Sequence, residues 1–274
     1  MKIWTLIFVL LIGISINAQD AWLYVIKIKG KVVNSQNNKT IKPGDKLKPT
    51  DKLKFKDSTA VVRVLNPSEG IYNLSPNYSK EGKSNELQYL VKAIMSPILG
   101  STTAVIYKKS VDFDLSFTED ELGDCTVFFG TQQLFLYPPL REEDDIFMEI
   151  NIKDKIQTLP IKADNEILLL FAQIDSLISA EDIPCGELPV KLIRKNTDTT
   201  LVIHKFILII PEKEALVKEI NTTVSVLQKN KKDEEDIGWV IGQVIKANYP
   251  GCKFSWEPLN KWLKANTIYK VGEY

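Results

Sequence analysis

The chain has 274 residues, 44% hydrophobic and 26% charged, with 35 Lys+Arg against 35 Asp+Glu. This apolar content excludes global disorder. The balanced charge makes no case for a nucleic-acid binder, and the length suffices for two or three small domains with real cores.

The first element is Met1–Ala18. Lys2 precedes an unbroken apolar run from Ile3 to Ile14, and the small residue Ala18 stands before Gln19. This pattern predicts a secretory signal peptide over residues 1–18, cut after Ala18, and hence a periplasmic or secreted protein. The run is about a dozen residues, short of the about 20 that a membrane span needs. The first cysteine is Cys125, so no lipoprotein anchor is expected. No later segment is expected to span a membrane. Leu201–Ile210 is interrupted by His204 and Lys205 and reads as a buried strand.

Residues 19–75 read as a small β-module. Ile26, Ile28 and Val32 alternate with Lys27, Lys29 and Lys31, a period of two that predicts one buried face and one lysine face. Asn34–Asn38 and Pro43-Gly44-Asp45 supply turns. The chain then repeats itself, Asp45-Lys46-Leu47-Lys48 followed by Asp51-Lys52-Leu53-Lys54. Leu47, Leu53 and Phe55 share one parity, while Lys46, Lys48, Lys52, Lys54 and Lys56 share the other. Strands over Thr59–Leu65 and Gly70–Leu74 complete a small sheet or barrel.

Val25-x-x-x-x-Gly30-x-Val32, Pro43-Gly44-Asp45-x-Leu47, Asp51-x-Leu53, Ala60-Val61-Val62 and Gly70-x-x-x-Leu74 together resemble the FecR-type β-module. That module occurs in bacterial envelope proteins, including the periplasmic part of anti-sigma regulators. The resemblance covers about a fifth of the chain and rests on turn glycines and strand apolars. It implies a binding or sensing platform rather than a catalyst. No counterpart of the regulators' cytoplasmic arm and transmembrane helix is expected, so direct sigma-factor control is not implied. The layout as a whole is similar to exported proteins of Bacteroidota.

Residues 76–111 are expected to form a polar linker and one amphipathic helix, with Leu87, Leu90, Val91, Ile94, Met95 and Ile98 on its apolar face. Between 112 and 124 six acidic residues stand without a Lys or Arg. Strand patterns then occupy Thr126–Phe129, Gln133–Tyr137, Ile146–Ile152, Ile167–Gln173, Val190–Arg194 and Leu201–Ile210, so residues 112–210 read as an immunoglobulin-like β-sandwich. Over 211–274 the period becomes helical. Leu216, Ile220, Val224 and Leu227 mark one helix, and Ile237, Val240, Ile241, Val244 and Ile245 a second. Pro258, Leu259, Trp262 and Leu263 mark a short third. Gly238 and Gly242 permit close packing on the second helix. The fold class is thus mainly β with α.

Catalytic inventory is sparse. His204 is the only histidine and lies inside a Val/Ile strand, where a structural role is expected. A cysteine hydrolase using Cys185 and His204 is the rival reading, and it needs both side chains within reach. The expected disulfide joins Cys125 to Cys185, both in the presumed sandwich, leaving Cys252 free. Glu142, Glu143, Asp144 and Asp145 lack the spacing of a calcium loop. No cofactor or metal motif appears.

The charge layout carries the functional expectation. Residues 27–56 hold ten lysines against Asp45 and Asp51, a net of +8. Lys27, Lys29, Lys31, Lys46, Lys48, Lys52, Lys54 and Lys56 form either a guard against edge aggregation or a docking face for an envelope protein or anionic polymer. The expected function is non-catalytic protein–protein binding or scaffolding in the envelope. A signalling input domain for another envelope protein is the third alternative.

Overall fold

The computed structural model describes residues 22–76, 122–135, 145–152, 155–164, 167–171, 174, 185–195 and 199–269. The expected signal peptide lies outside them, as do the helix expected within 76–111 and all of the acidic run except Asp124. The chain divides into two compact units, Met1–Pro97 and Ile98–Tyr274. The fold is mainly β with α-helices.

Among its described residues the first unit contains seven short strands: β1 (Leu23–Lys29), β2 (Val32–Asn34), β3 (Lys39–Thr40), β4 (Lys46–Leu47), β5 (Leu53–Phe55), β6 (Val61–Asn66) and β7 (Gly70–Leu74). They make a four-stranded sheet in the order β4-β1-β6-β7 and a three-stranded sheet in the order β3-β2-β5. Both sheets feed one core. Leu23, Val25, Leu47, Val62, Val64, Tyr72 and Leu74 come from the first, and Val32, Leu53 and Phe55 from the second, with Ile41 and Ala60 from turns. Strands this short are marginal alone, and a shared two-sheet core is what stabilises them.

One detail overturns the simple alternation of β1. A bulge at Ile26 shifts the register, so that Val25 pairs with Val64 but Lys27 pairs with Arg63 and Ile28 with Val62. One extra residue reverses strand parity. The core side of β1 is therefore Leu23, Val25 and Ile28, not the parity of Ile26 and Ile28. The opposite side carries cross-strand rows, Lys46–Tyr24–Leu65–Ile71 and Lys27–Arg63–Asn73. Within the second row Arg63 Nε donates to Asn73 Oδ1 at 2.8 Å.

In the second unit, the main sheet has the order β11-β10-β14-β15-β8. Its strands are β8 (Cys125–Val127), β10 (Asp145–Ile152), β11 (Lys155–Pro160), β14 (Gly186–Lys195) and β15 (Thr200–Ile210). Only β15 and β8 run parallel among these neighbours. Alternating side chains of β10, β14 and β15, among them Ile150, Val190 and Leu208, cluster with Leu122, Phe128, Phe171 and Ile174. Phe171 meets Phe128 and Phe206 edge-on, at 5.8 and 6.2 Å. A three-stranded sheet β12-β13-β9 comprises β9 (Gln132–Phe135), β12 (Lys162–Asp164) and β13 (Ile167–Leu170). The packing of side chains that a sandwich requires of this smaller sheet lies outside the described residues.

Among the described residues, the unit also has three helices: α1 (Lys213–Lys229), α2 (Glu234–Asn248) and α3 (Trp256–Asn266). The Glu212 side chain caps α1 by accepting from the Glu214 and Ala215 amides, and Asp233 caps α2 through the Asp236 amide. The expected apolar positions are buried, including Ile220 and Val224 on α1 and Ile241 and Ile245 on α2, except for Trp262 on α3, which is half-buried. Gly242 lies under the Trp256 indole and Gly238 under the Tyr269 hydroxyl, which donates to Glu234 O. Residues expected as a β-domain and those expected as a helical tail thus belong to one compact unit.

Candidate functional site

The lysine-rich segment is built on two turns that share one hydrogen-bond pattern. The Asp45 amide donates to Lys42 O, while the Asp45 carboxylate accepts from the Lys42 amide. Six residues on, the Asp51 amide donates to Lys48 O and its carboxylate accepts from the Lys48 amide. The repeat therefore reads Lys-Pro-x-Asp-Lys-Leu, from Lys42 and again from Lys48. Pro fixes φ near the value the second turn position needs, and Asp folds back onto the backbone. After each turn a leucine, Leu47 then Leu53, enters the core. A third carboxylate, Asp57, accepts from the Lys31 amide.

These bonds fix where the carboxylates sit without removing their charge. Three carboxylates adjacent to the lysines are committed to main-chain donors. Asp45 also pairs with the Lys39 ammonium, at 2.9 Å. Lys29, Lys31, Lys46, Lys48, Lys52, Lys54 and Lys56 are exposed, and Lys27 is half-buried beside Arg63.

The lysines do not form one face. Lys27, Lys29 and Lys46 belong to the four-stranded sheet, whereas Lys54 lies on the three-stranded one. Along β1, Lys46 is opposite Tyr24, and Lys29 lies five residues further on. That is about 17 Å at strand rise, twice the screening length of about 8 Å at physiological salt. At the Tyr24 end, Lys46 Nζ stands 5.2 Å from the Tyr24 ring centroid and 5.8 Å from that of Trp22. Lys48 Nζ stands 5.7 Å from Trp22. These two aromatics are the site residues that lysine counting misses. Their signal in the sequence is the Trp22-x-Tyr24 spacing at the head of β1.

The cysteines depart from expectation. Cys125 pairs with Cys252, and Cys185 is free and exposed. The expected Cys125–Cys185 bond fails on topology. Cys185 precedes Gly186, the first residue of β14, and Cys125 lies on β8, with β15 between the two strands. Two strand spacings are about 9.6 Å, beyond the about 7 Å limit for bonded cysteines.

Cys185 and His204 are likewise not brought together. Gly186 pairs with Ile210, whereas His204 pairs with Leu192, six residues along the hairpin or about 20 Å. His204 is buried, stacks on Phe206 at 5.7 Å and places Nε2 2.9 Å from Gly123 O. It is a core histidine with a hydrogen-bond partner. Among the described residues no group of three or more His, Cys, Asp or Glu is arranged to hold a metal ion. Of the Glu142–Asp145 cluster only Asp145 is described. Among the described residues no helix is long and apolar enough to cross a membrane.

No protein-family model matches the chain, and neither a curated protein nor a solved structure matches it.

Proposed function

We propose that the chain is an exported, non-catalytic envelope protein whose first unit is a docking module for an acidic protein partner. The observation that carries this reading is the exposure of nine lysines on this unit, with Asp45, Asp51 and Asp57 held at backbone amides. Those carboxylates keep their charge, but the ten lysines over residues 27–56, nine of them exposed, outnumber them and leave the module with a strongly positive surface. Such a surface steers an acidic partner and sets the association rate. The resemblance to the FecR-type module is part of the proposal, and positive φ at Gly30, Gly44 and Gly70 supports it at the turn glycines that carry it. Export is supported by the leader pattern and by the Cys125–Cys252 disulfide, a bond that persists in oxidising compartments.

The test is charge reversal. Lys29→Glu, Lys48→Glu and Lys54→Glu together should abolish salt-sensitive capture of the partner while leaving the thermal unfolding of the module in place, because exposed substitutions shift stability by about 0.5 kcal/mol. A partner set that survives both reversal and high salt returns the lysines to a solubility role. For export, intact mass of the mature protein should place its first residue at Gln19 or within a residue or two of it, and retained Met1 overturns that part.

A further inference from the structure

We infer that Trp22, Tyr24, Lys46 and Lys48 form a preorganised site for paired carboxylates on an extended acidic polypeptide. The inference rests on the docking reading above and assigns it a place and a partner chemistry.

A free lysine loses rotamer entropy when it binds an anion, and a surface of unrestrained lysines binds weakly for that reason. At this site part of that loss is incurred in folding. One indole holds two ammonium groups, Lys46 at 5.8 Å and Lys48 at 5.7 Å, and the Tyr24 ring holds Lys46 from a second direction at 5.2 Å. Ring faces attract cations electrostatically without neutralising them. Two like charges gathered at one ring repel each other, and an anion set between them relieves that repulsion. The flanking carboxylates are both engaged, Asp45 with the Lys42 amide and Lys39 and Asp51 with the Lys48 amide.

The spacing selects the partner. Lys46 lies on β4 and Lys48 two residues on, both reaching Trp22, so their Cα atoms are about 7 Å apart. An extended peptide presents side chains i and i+2 on one side at the same repeat. A Glu-x-Glu or Asp-x-Glu stretch therefore places two carboxylates opposite two ammoniums. β4 is also an edge strand, with β1 its one neighbour in the sheet among the described residues.

The experiment uses the mature chain and a fluorescently labelled peptide of alternating Glu and Ser, titrated by anisotropy at physiological salt. Lys46→Gln with Lys48→Gln should weaken binding by about tenfold or more. Lys54→Gln with Lys56→Gln removes the same charge from the other sheet and should weaken it less than about threefold. Trp22→Leu leaves every lysine in place and should still weaken binding by about two- to fivefold. Equal losses from the two lysine pairs would overturn the site but leave the acidic-partner reading standing. A folded Trp22→Leu protein that binds at full strength would overturn the preorganisation. If that variant does not fold, the two lysine pairs decide the location. Failure of the unmodified protein to bind the peptide overturns the acidic-polypeptide assignment. Binding of polyphosphate in its place reassigns the site to a phosphate polymer, and binding of neither removes the docking reading as well.

Discussion

Cys125 on β8 and Cys252 in the turn after α2 are joined by a disulfide, with their Cα atoms 4.5 Å apart. The bond accompanies a backbone join, because the Lys253 amide donates to Cys125 O and the Val127 amide to Lys253 O. The segment after α2 thereby forms a parallel bridge to β8, Lys253 beside Thr126. The disulfide closes a sequence separation of 127 residues, so its removal releases much chain entropy. Cys125→Ser with Cys252→Ser should cost the second unit about 2–5 kcal/mol in urea unfolding. All three cysteines lie in that unit, so unfolding of the first should be unchanged.

Cys185 should react alone. It is exposed and outside the disulfide. Maleimide labelling of the native or denatured, non-reduced protein should add one label, and labelling after reduction should add three. One label on Cys252 instead would restore the pairing expected from Cys125 and Cys185 sharing one presumed domain.

The contrast between strands read and strands missed has a physical basis. The six strands expected between 126 and 210 all occur, because each either alternates apolar with polar residues or runs apolar throughout. β11 escapes notice because it is an edge strand with little burial, as Ile156 at 63% exposure shows. The three helices are legible from spacing, and so is the use of Gly238 and Gly242 for packing. The bulge at Ile26 is not, since a parity reversal leaves no mark in composition. Disulfide pairing is not legible either. It depends on which strands flank β15, and sequence order carries no such information. For the site, the lysines are visible as charge, but their division between two sheets requires the topology.

Gly30 is held at φ +77°, where a Cβ would lie 2.9 Å from Ala60 Cβ. Gly30→Ala therefore combines left-handed strain of about 1–2 kcal/mol with overpacking of about 1–3 kcal/mol. Gly44 has φ +92°, but a Cβ added there would meet nothing within 4 Å. Gly44→Ala should show the strain alone. Denaturant midpoints should fall more for Gly30→Ala.

Tyr72 donates to Glu69 Oε2 at 3.2 Å. Burial, then the Glu69 charge and this hydrogen bond, push its pKa up to about 12 from an ordinary value of about 10. The folded state thus holds the phenol proton more tightly than the unfolded chain. The stability it contributes is full below pH about 10 and is lost as pH rises toward about 12. Tyr72→Phe should flatten the alkaline loss of stability of the first unit, read as the difference in urea midpoint between pH 9 and pH 11. An unchanged slope would show that the phenol does not couple to folding.

Asp51 separates fold from charge. Its carboxylate accepts from the Lys48 amide and forms the second turn, yet it also lowers the potential beside Lys48 and the Trp22 ring. Asp51→Asn keeps an acceptor for the amide and removes the charge. Asp51→Ala removes both, at a cost of about 1 kcal/mol for the lost hydrogen bond. If the positive surface is what the acidic peptide reads, both variants should bind it more tightly than the parent, by about two- to threefold at physiological salt. Only Asp51→Ala should unfold at lower denaturant. The two readouts then move in opposite directions in one protein, which general loosening of the module cannot produce. Weaker binding by the well-folded Asp51→Asn protein would mean that the carboxylate itself faces the partner.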